Sequence, residues 1–251
     1  MENMKSGDKV AIVTGGAKGI GRAIVSAFSA KGIVTVIADI DLEAAEKAAG
    51  EVRDSGGDAW AIKVDISCME QLARMVTQTL ARYGRLDILV NNAGILSSAA
   101  YDKVSESEWD RVMEVNLKGN FFASCEALKP MIAQGWGRII YISSLSGRSG
   151  GVSAGPAYVA SKAALIGITR HLAKKVARNG ITVNAVAPGT TETDILKMFS
   201  DEEITAQKNA ILVGRLGKPE EIAATVAFLA SDSAAFITGA VIDINGGMYM
   251  G

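Results

Sequence analysis

Lys9–Thr14 reads K-V-A-I-V-T, and the chain then runs Thr14-Gly15-Gly16-Ala17-Lys18-Gly19-Ile20-Gly21 into a helical pattern over Ile20–Ala30. A short, β-branched apolar run without polar alternation predicts a strand covered on both faces, as in a parallel sheet. Glycines where such a strand turns into a helix let the backbone approach a pyrophosphate, which then sits on the helix N-terminus. The same glycines would also serve a plain tight turn, so the motif needs its context.

That context repeats along the chain. Val34–Ala38, Ala59–Val64, Leu86–Asn91, Arg138–Ser143, Ile181–Ala187 and Ala240–Ile244 read as further strands. Leu42–Ser55, Met69–Tyr83, Ser107–Ala133, Ala157–Asn179 and Pro219–Ala230 carry helical periodicity between them. Strict alternation of this kind predicts an α/β fold: one doubly wound parallel sheet (a Rossmann fold) of about seven strands with right-handed crossovers. No linker, repeat or low-complexity segment interrupts residues 1–251, so a single domain is expected. Only Thr190–Gly217 breaks the rhythm. It follows a strand's C-terminal end, where such sheets bind ligands, and is expected to be a partly helical substrate flap.

Composition removes several function classes. A formal net charge of −1 gives no pull toward nucleic acid or an anionic membrane. No run of about 18 apolar residues predicts a membrane span, and Met1–Lys9 lacks the apolar region of a signal peptide, so a cytoplasmic protein is expected. Cys68 and Cys125 form no metal or redox motif and read as reduced thiols. His171 is the single histidine, which argues against multi-histidine metal sites, and no metal is expected. It reads as a structural or surface residue.

The second strand ends in Ala38-Asp39, where a carboxylate suits hydrogen bonds to the ribose hydroxyls of a dinucleotide. With this acid added, the sequence resembles the short-chain dehydrogenase/reductase family over essentially its whole length. Thr14, Gly15, Gly19 and Gly21 match the family's first-turn pattern, with Ile20 between the last two. Asp65-Ile66 resembles its adenine-pocket motif, and Asn91-Asn92-Ala93-Gly94 its N-N-A-G motif, which would tie the sheet together and border the adenine ribose. The overall pattern is most similar to the 3-oxoacyl-reductase-like and polyol-dehydrogenase-like branches. The resemblance implies NAD or NADP as cofactor. Asp39 would face the 2′-phosphate of NADP(H), and like charges roughly 4 Å apart at a dielectric of about 20 repel by about 4 kcal/mol. Ile40, not an arginine, follows it. Lys18 stands where NADP-using relatives often carry a basic residue. NAD(H) is the expected cofactor, with NADP(H) the alternative.

Tyr158 and Lys162 stand four apart in Y-V-A-S-K on a helical pattern, and so share a face. A tyrosine pKa of about 10 makes a poor base at neutral pH. An adjacent ammonium favours the phenolate, so Lys162, helped by a cationic nicotinamide, is expected to lower it. The resemblance gives Ser144 the role of polarising the substrate oxygen, Tyr158 that of general acid/base, and Lys162 that of holding the nicotinamide ribose. Asn116, in E-V-N-L-K-G, would anchor a proton-relaying water. Ser144 and Tyr158 lie one residue further apart than in many relatives, so Ser143 and Ser146 stay open as replacements.

Pro188, Gly189, Thr191 and Thr193 resemble the family's nicotinamide-side turn. The Thr191 amide and the Thr193 hydroxyl would meet the carboxamide and present the pro-S face. Leu96, Ser146, Gly150–Val152 and the flap would shape the substrate pocket. Apolar flap residues (Ile195, Leu196, Met198, Phe199, Ile211, Leu212) stand beside Asp194, Lys197, Asp201, Glu202 and Glu203. A small-molecule secondary alcohol or ketone is the expected substrate. The runner-up is an NADPH-dependent 3-oxoacyl-thioester reductase, and a catalytically idle dinucleotide-binding regulator is the reading from another class. The resemblance implies a homotetramer paired through the long helices Ser107–Ala133 and Ala157–Asn179. The apolar tail Met248-Tyr249-Met250 is expected to be a loose end or to pack on a neighbouring subunit.

Overall fold

The computed structural model describes residues 9–151, 154–194, 196 and 200–251. Within them the strands are β1 Val10–Thr14, β2 Val34–Asp39, β3 Ala59–Lys63, β4 Ile88–Asn91, β5 Gly137–Ile142, β6 Ile181–Pro188 and β7 Val241–Ile244. The helices are α1 Gly19–Ser29, α2 Leu42–Asp54, α3 Met69–Tyr83, α4 Glu106–Met113, α5 Asn120–Gln134, α6 Ser146–Ser149, α7 Pro156–Val176, α8 Asp201–Ala210 and α9 Pro219–Leu229. All strands pair in parallel in the order β3-β2-β1-β4-β5-β6-β7. This is the doubly wound sheet read from the sequence. The order reverses between β1 and β4, which opens a crevice at their C-terminal ends.

Alternate residues of each strand enter opposite cores, because strand side chains point to alternate faces. Val10 and Ile12 pack with Met75 of α3, Met131 of α5 and Leu165 of α7. Ala11 and Val13 pack with Ile24 and Phe28 of α1, Ala48 of α2 and Val226 of α9. Both sheet faces are therefore covered, which is why the strand runs carry no polar alternation.

Three element readings need correction. Ser107–Ala133 is not one regular helix, because Glu114–Gly119 forms a π-helical turn between α4 and α5. A one-residue insertion leaves hydrophobic periodicity nearly intact, so the pattern does not reveal it. Gly119 sits against the Ile66 carbonyl, where a Cβ would approach to 2.4 Å. The fourth strand begins at Ile88 rather than Leu86, because the Asp87 carboxylate takes the Val10 amide at 2.8 Å and stands in for a ladder bond. The last turn of the helix after Tyr158, Ala177–Asn179, is a 3₁₀ turn. The flap contains α8, started by a capping box between Ser200 and Glu203. Val152, Ile195, Lys197, Met198 and Phe199, read as pocket or flap residues, lie outside the described residues, as does most of the Met1–Lys9 start.

Candidate active site

The β1–α1 turn is built around backbone proximity. Gly15 (φ +62°) and Gly19 (φ +54°) adopt the left-handed conformation that side chains resist. At Gly21 a Cβ would lie 2.1 Å from the Gly15 carbonyl and 2.6 Å from Asn92 Nδ2. Asn92 Nδ2 donates to the Thr14 and Gly15 carbonyls at 3.0 and 2.9 Å, and the Thr14 hydroxyl accepts from the Asn92 and Ala93 amides, both at 3.1 Å. The two glycine-bearing loops are thereby locked together. No side chain caps the start of α1. Its first amides can serve an anion instead, so the turn fits a dinucleotide pyrophosphate.

At the β2 end, Asp39 accepts from the Ala17 amide at 3.0 Å and the Asp41 amide at 3.1 Å, one through each oxygen. Each oxygen keeps a lone pair for a ribose hydroxyl. Lys18 turns to Asp41, with Nζ 2.7 Å from Oδ2. That hydrogen-bonded pair raises the Lys18 pKa and lowers that of Asp41. Asp41 also caps α2 through the Ala44 amide at 3.1 Å. Lys18, the cation read as able to favour a 2′-phosphate, is thus already bound to an acid. Ile40 is 62% exposed. Asp65 takes the Ser67 hydroxyl at 2.6 Å and the Ser67 amide at 2.9 Å, and these bonds hold its carboxyl below the usual range. Ile66 is buried.

A cleft of about 630 Å³ runs from this turn across the strand ends. Gly15, Lys18, Gly19, Ile20, Gly21, Asn92, Ala93, Gly94, Ser144, Tyr158, Lys162, Pro188, Gly189, Thr191 and Thr193 line it. Asp39, Ile40, Asp65 and Ile66 stand outside its walls at the ends of β2 and β3, and Asn116 lies behind the wall. Fourteen of the residues read as cofactor contacts, and Ser144 with them, therefore meet in one cavity.

Ser144 and Tyr158 both line this cleft, and the Ser144 side chain opposes the upward push that burial gives the Tyr158 phenol. Ser143 is turned away, its hydroxyl donating to the Lys162 carbonyl at 2.7 Å, and Ser146 opens α6. The hydroxyl of Ser143 is thereby taken up, while Ser144 and Ser146 both line the cleft. Lys162 is buried, with Nζ 5.6 Å from the Tyr158 ring centroid and donating to the Ile142 carbonyl at 2.8 Å. The expected lowering of the Tyr158 pKa by Lys162 is not what the protein alone produces. Burial raises Tyr158, opposed by the Ser144 side chain, and burial lowers Lys162 to about 8. Desolvation disfavours the charged form of both groups and outweighs their mutual effect.

The folded pKa of Lys162 lies below the unfolded 10.5, so the unfolded chain holds a proton that the folded chain has released between pH about 8 and 10.5. Stability should rise with pH across that window. Lys162→Met is expected to abolish this rise in urea unfolding at stepped pH. An unchanged slope would mean that another group carries it.

Asn116 sits inside the π-helical turn. Its Oδ1 accepts from the Ile95 amide at 2.8 Å, and Nδ2 donates to the Ile95 carbonyl at 2.9 Å and to Ser161 Oγ at 3.2 Å. Gly94 faces both Asn116 Oδ1 and Lys162 Nζ, which a Cβ would approach to 3.2 and 3.4 Å. On the opposite wall, Thr191 Oγ1 bonds the Gly189 carbonyl at 3.0 Å, and Thr193 Oγ1 lies 3.5 Å from the Thr191 carbonyl.

Gln207, within the flap but not singled out there, and Met248 of the tail also reach the cleft. Gln207 of α8 lines it and accepts from the Thr190 hydroxyl at 2.9 Å. Met248 lines it too, so the tail is not a loose end. Asn245 binds the Gly247 amide and the Tyr249 carbonyl at 3.0 and 3.1 Å. Arg148 pairs with Asp243 at 3.1 Å and lies over the Tyr249 ring. No sequence signal marked either residue, since neither belongs to a motif. His171 is exposed on α7, as a surface residue.

Comparison with known proteins agrees with this geometry. A family model described as Enoyl-(Acyl carrier protein) reductase matches residues 15–249. The 3-oxoacyl-[acyl-carrier-protein] reductase FabG of Staphylococcus aureus is 42% identical over 244 residues, covering 96% of this chain and 98% of that protein. The FabG of Aquifex aeolicus is 40% identical over 242 residues, covering 96% and 97%. The solved structure of gox2181 superposes with a TM-score of 0.93 at 35% identity, covering 96% of this chain and 95% of the other. The chain belongs to the short-chain dehydrogenase/reductase family of oxidoreductases, which bind a nicotinamide dinucleotide, and within it resembles the 3-oxoacyl reductases.

Proposed function

We propose that the chain interconverts a ketone and its secondary alcohol, that the ketone is a 3-oxoacyl thioester, and that the dinucleotide is NAD(H). The observation that carries the chemistry is the meeting of Ser144, Tyr158 and buried Lys162 in one cleft, with Lys162 Nζ 5.6 Å from the Tyr158 ring centroid. In the reducing direction the substrate oxygen accepts from Ser144 and from Tyr158, and Tyr158 gives up its phenol proton as the carbonyl carbon is reduced. The bound dinucleotide supplies the hydride. Gly15, Gly19 and Gly21 would hold its pyrophosphate, Asp39 its ribose hydroxyls, and Thr191 and Thr193 its carboxamide. The intact Tyr158–Lys162 pair argues against an idle regulator.

The substrate class draws on the curated relatives, which favour the thioester over a general secondary alcohol. A second reading, oxidation of a free secondary alcohol or polyol, is favoured by Asp39, since an acid that selects NAD suits oxidation. Initial rates with 3-oxoacyl thioesters, simple ketones and polyols discriminate the two. Highest kcat/KM for the thioester is expected, and faster turnover of a polyol would install the second reading. Copies of the chain would pair on the faces of α4 and α5, where Trp109, Phe122 and Ile132 are exposed, together with α7.

The cofactor reading makes its own prediction. Asp39→Ala is expected to shift the NADPH-to-NADH ratio of kcat/KM upward by at least about tenfold, because it removes a like-charge repulsion of order 1–4 kcal/mol. Separate titrations with the two dinucleotides read the same shift in Kd. An unmoved ratio would assign selectivity to Lys18 or to another group.

A further inference from the structure

Asn120, the first residue of α5, is wholly buried, and no motif accounts for it. Its Nδ2 lies within hydrogen-bond reach of three backbone carbonyls: Asn116 at 2.9 Å, Ala93 at 3.1 Å and Val115 at 3.3 Å. Two of these belong to the π-helical turn and the third to the Asn92–Gly94 loop that lines the cleft. Three acceptors converge on one amide nitrogen. The flipped amide would aim Oδ1 at three carbonyl oxygens, so the orientation is fixed. Oδ1 then finds no partner among the described residues. A buried acceptor left unpaired works against folding, and here it accompanies a grip on the turn that presents Asn116.

The anchor for that grip is the sheet. Ser124 Oγ donates to the Asn120 carbonyl at 2.9 Å, accepts from Asn91 of β4 at 2.9 Å, and lies 2.6 Å from the hydroxyl of Tyr141 in β5. From Asn120 the chain of bonds runs through Asn116 to Ser161 Oγ, which donates to the Tyr158 carbonyl at 2.8 Å. A π-turn displaces backbone bonding by one residue, and Asn120 brings a side-chain donor to the carbonyls of Val115 and Asn116 within it.

We infer that Asn120 is a positioning residue for the reaction: its amide bridges the Asn116 carbonyl of the π-helical turn and the Ala93 carbonyl of the Asn92–Gly94 loop, and thereby fixes Asn116, and through Ser161 the backbone of Tyr158, relative to that loop. It touches no reacting atom. The inference rests on the oxidoreductase reading above.

The test compares Asn120→Val with Asn120→Thr, two β-branched side chains of nearly one shape. Only Thr carries a hydroxyl able to donate to the carbonyl four residues back, as Thr79, Ser124 and Thr169 do here at 2.8, 2.9 and 2.8 Å. Expected is a fall in kcat of about tenfold or more for Val and less than about threefold for Thr, since a misplacement of about 1 Å costs up to 10²-fold. KM and the Kd for NADH should stay near the wild-type values in both, and the pH profile of kcat should move in Val alone. Equal kcat in the two variants, both high or both low, would overturn the inference, because packing alone cannot tell them apart. Should Val fail to fold, Asn120→Ala against Asn120→Ser makes the same comparison with smaller side chains. Failure of the underlying reading looks different: the wild-type protein itself would turn over no carbonyl or alcohol, and the inference would fall with it.

Discussion

Tyr158→Phe is expected to lower kcat by about 10²- to 10⁴-fold, the range spanned by a positioned general acid/base, while the Kd for NADH changes little. The substitution keeps the ring, and with it the packing of α7 against the cleft, and removes only the hydroxyl. That hydroxyl lines the cleft near Ser144, and burial keeps it protonated and so ready to act as an acid. Its loss leaves the substrate oxygen with Ser144 alone, and Ser144 cannot give up a proton at neutral pH. Steady-state rates paired with a fluorescence titration separate the two effects. Near-full activity in the variant would remove Tyr158 from the chemistry and send the search for the acid back along the cleft. Loss of binding together with rate would instead mark a structural role for the ring.

Gly21→Ala should abolish dinucleotide binding. The new Cβ would sit 2.1 Å from the Gly15 carbonyl and 2.6 Å from Asn92 Nδ2, the amide that locks the two cleft loops. Neither neighbour is a flexible side-chain tip free to swing aside, so the turn itself must move. Overpacking of this kind costs about 1–3 kcal/mol of stability, and displacement of the turn weakens binding by about 100-fold or more, as a misplacement of about 1 Å can. Gly167→Ala is the matched control. Gly167 lies inside α7 with nothing within 4 Å of its built Cβ. There Ala should stabilise by about 0.5–1 kcal/mol through helix propensity alone. Urea unfolding and NADH titration of the pair read both outcomes. Retained binding in Gly21→Ala would mean that the turn tolerates a side chain and that its glycines serve the bend alone.

Where the physics is local, the sequence was readable. Strands buried on both faces must be apolar throughout, so their order and number could be read from Val10–Thr14 to Val241–Ile244 with errors of a residue or two. Gly15, Gly19 and Gly21 follow from the turn they make, and the Tyr158–Lys162 pair from helical spacing. What stayed hidden depends on distant partners. The π-helical turn Glu114–Gly119 barely disturbs the apolar stripe, and Asn120 donates to it through a bond no periodicity reports. Met248 reaches the cleft because Asn245 and Arg148 fold the tail back, and Gln207 because α8 lies across the opening. Burial, which pushes Tyr158 up in the chain by itself, depends on the packing of α7 and leaves no mark on the spacing of Tyr158 and Lys162. Lys18 was read as a possible phosphate ligand, and only the structure shows it bound to Asp41.

The most direct test of the account is the fate of the hydride. With NADH carrying deuterium at the pro-S position and a 3-oxoacyl thioester as substrate, mass spectrometry of the product should find the label on the new alcohol carbon. The pyridine ring of the oxidised dinucleotide should hold none of it. Unlabelled alcohol, or no dinucleotide-dependent alcohol at all, would contradict the account.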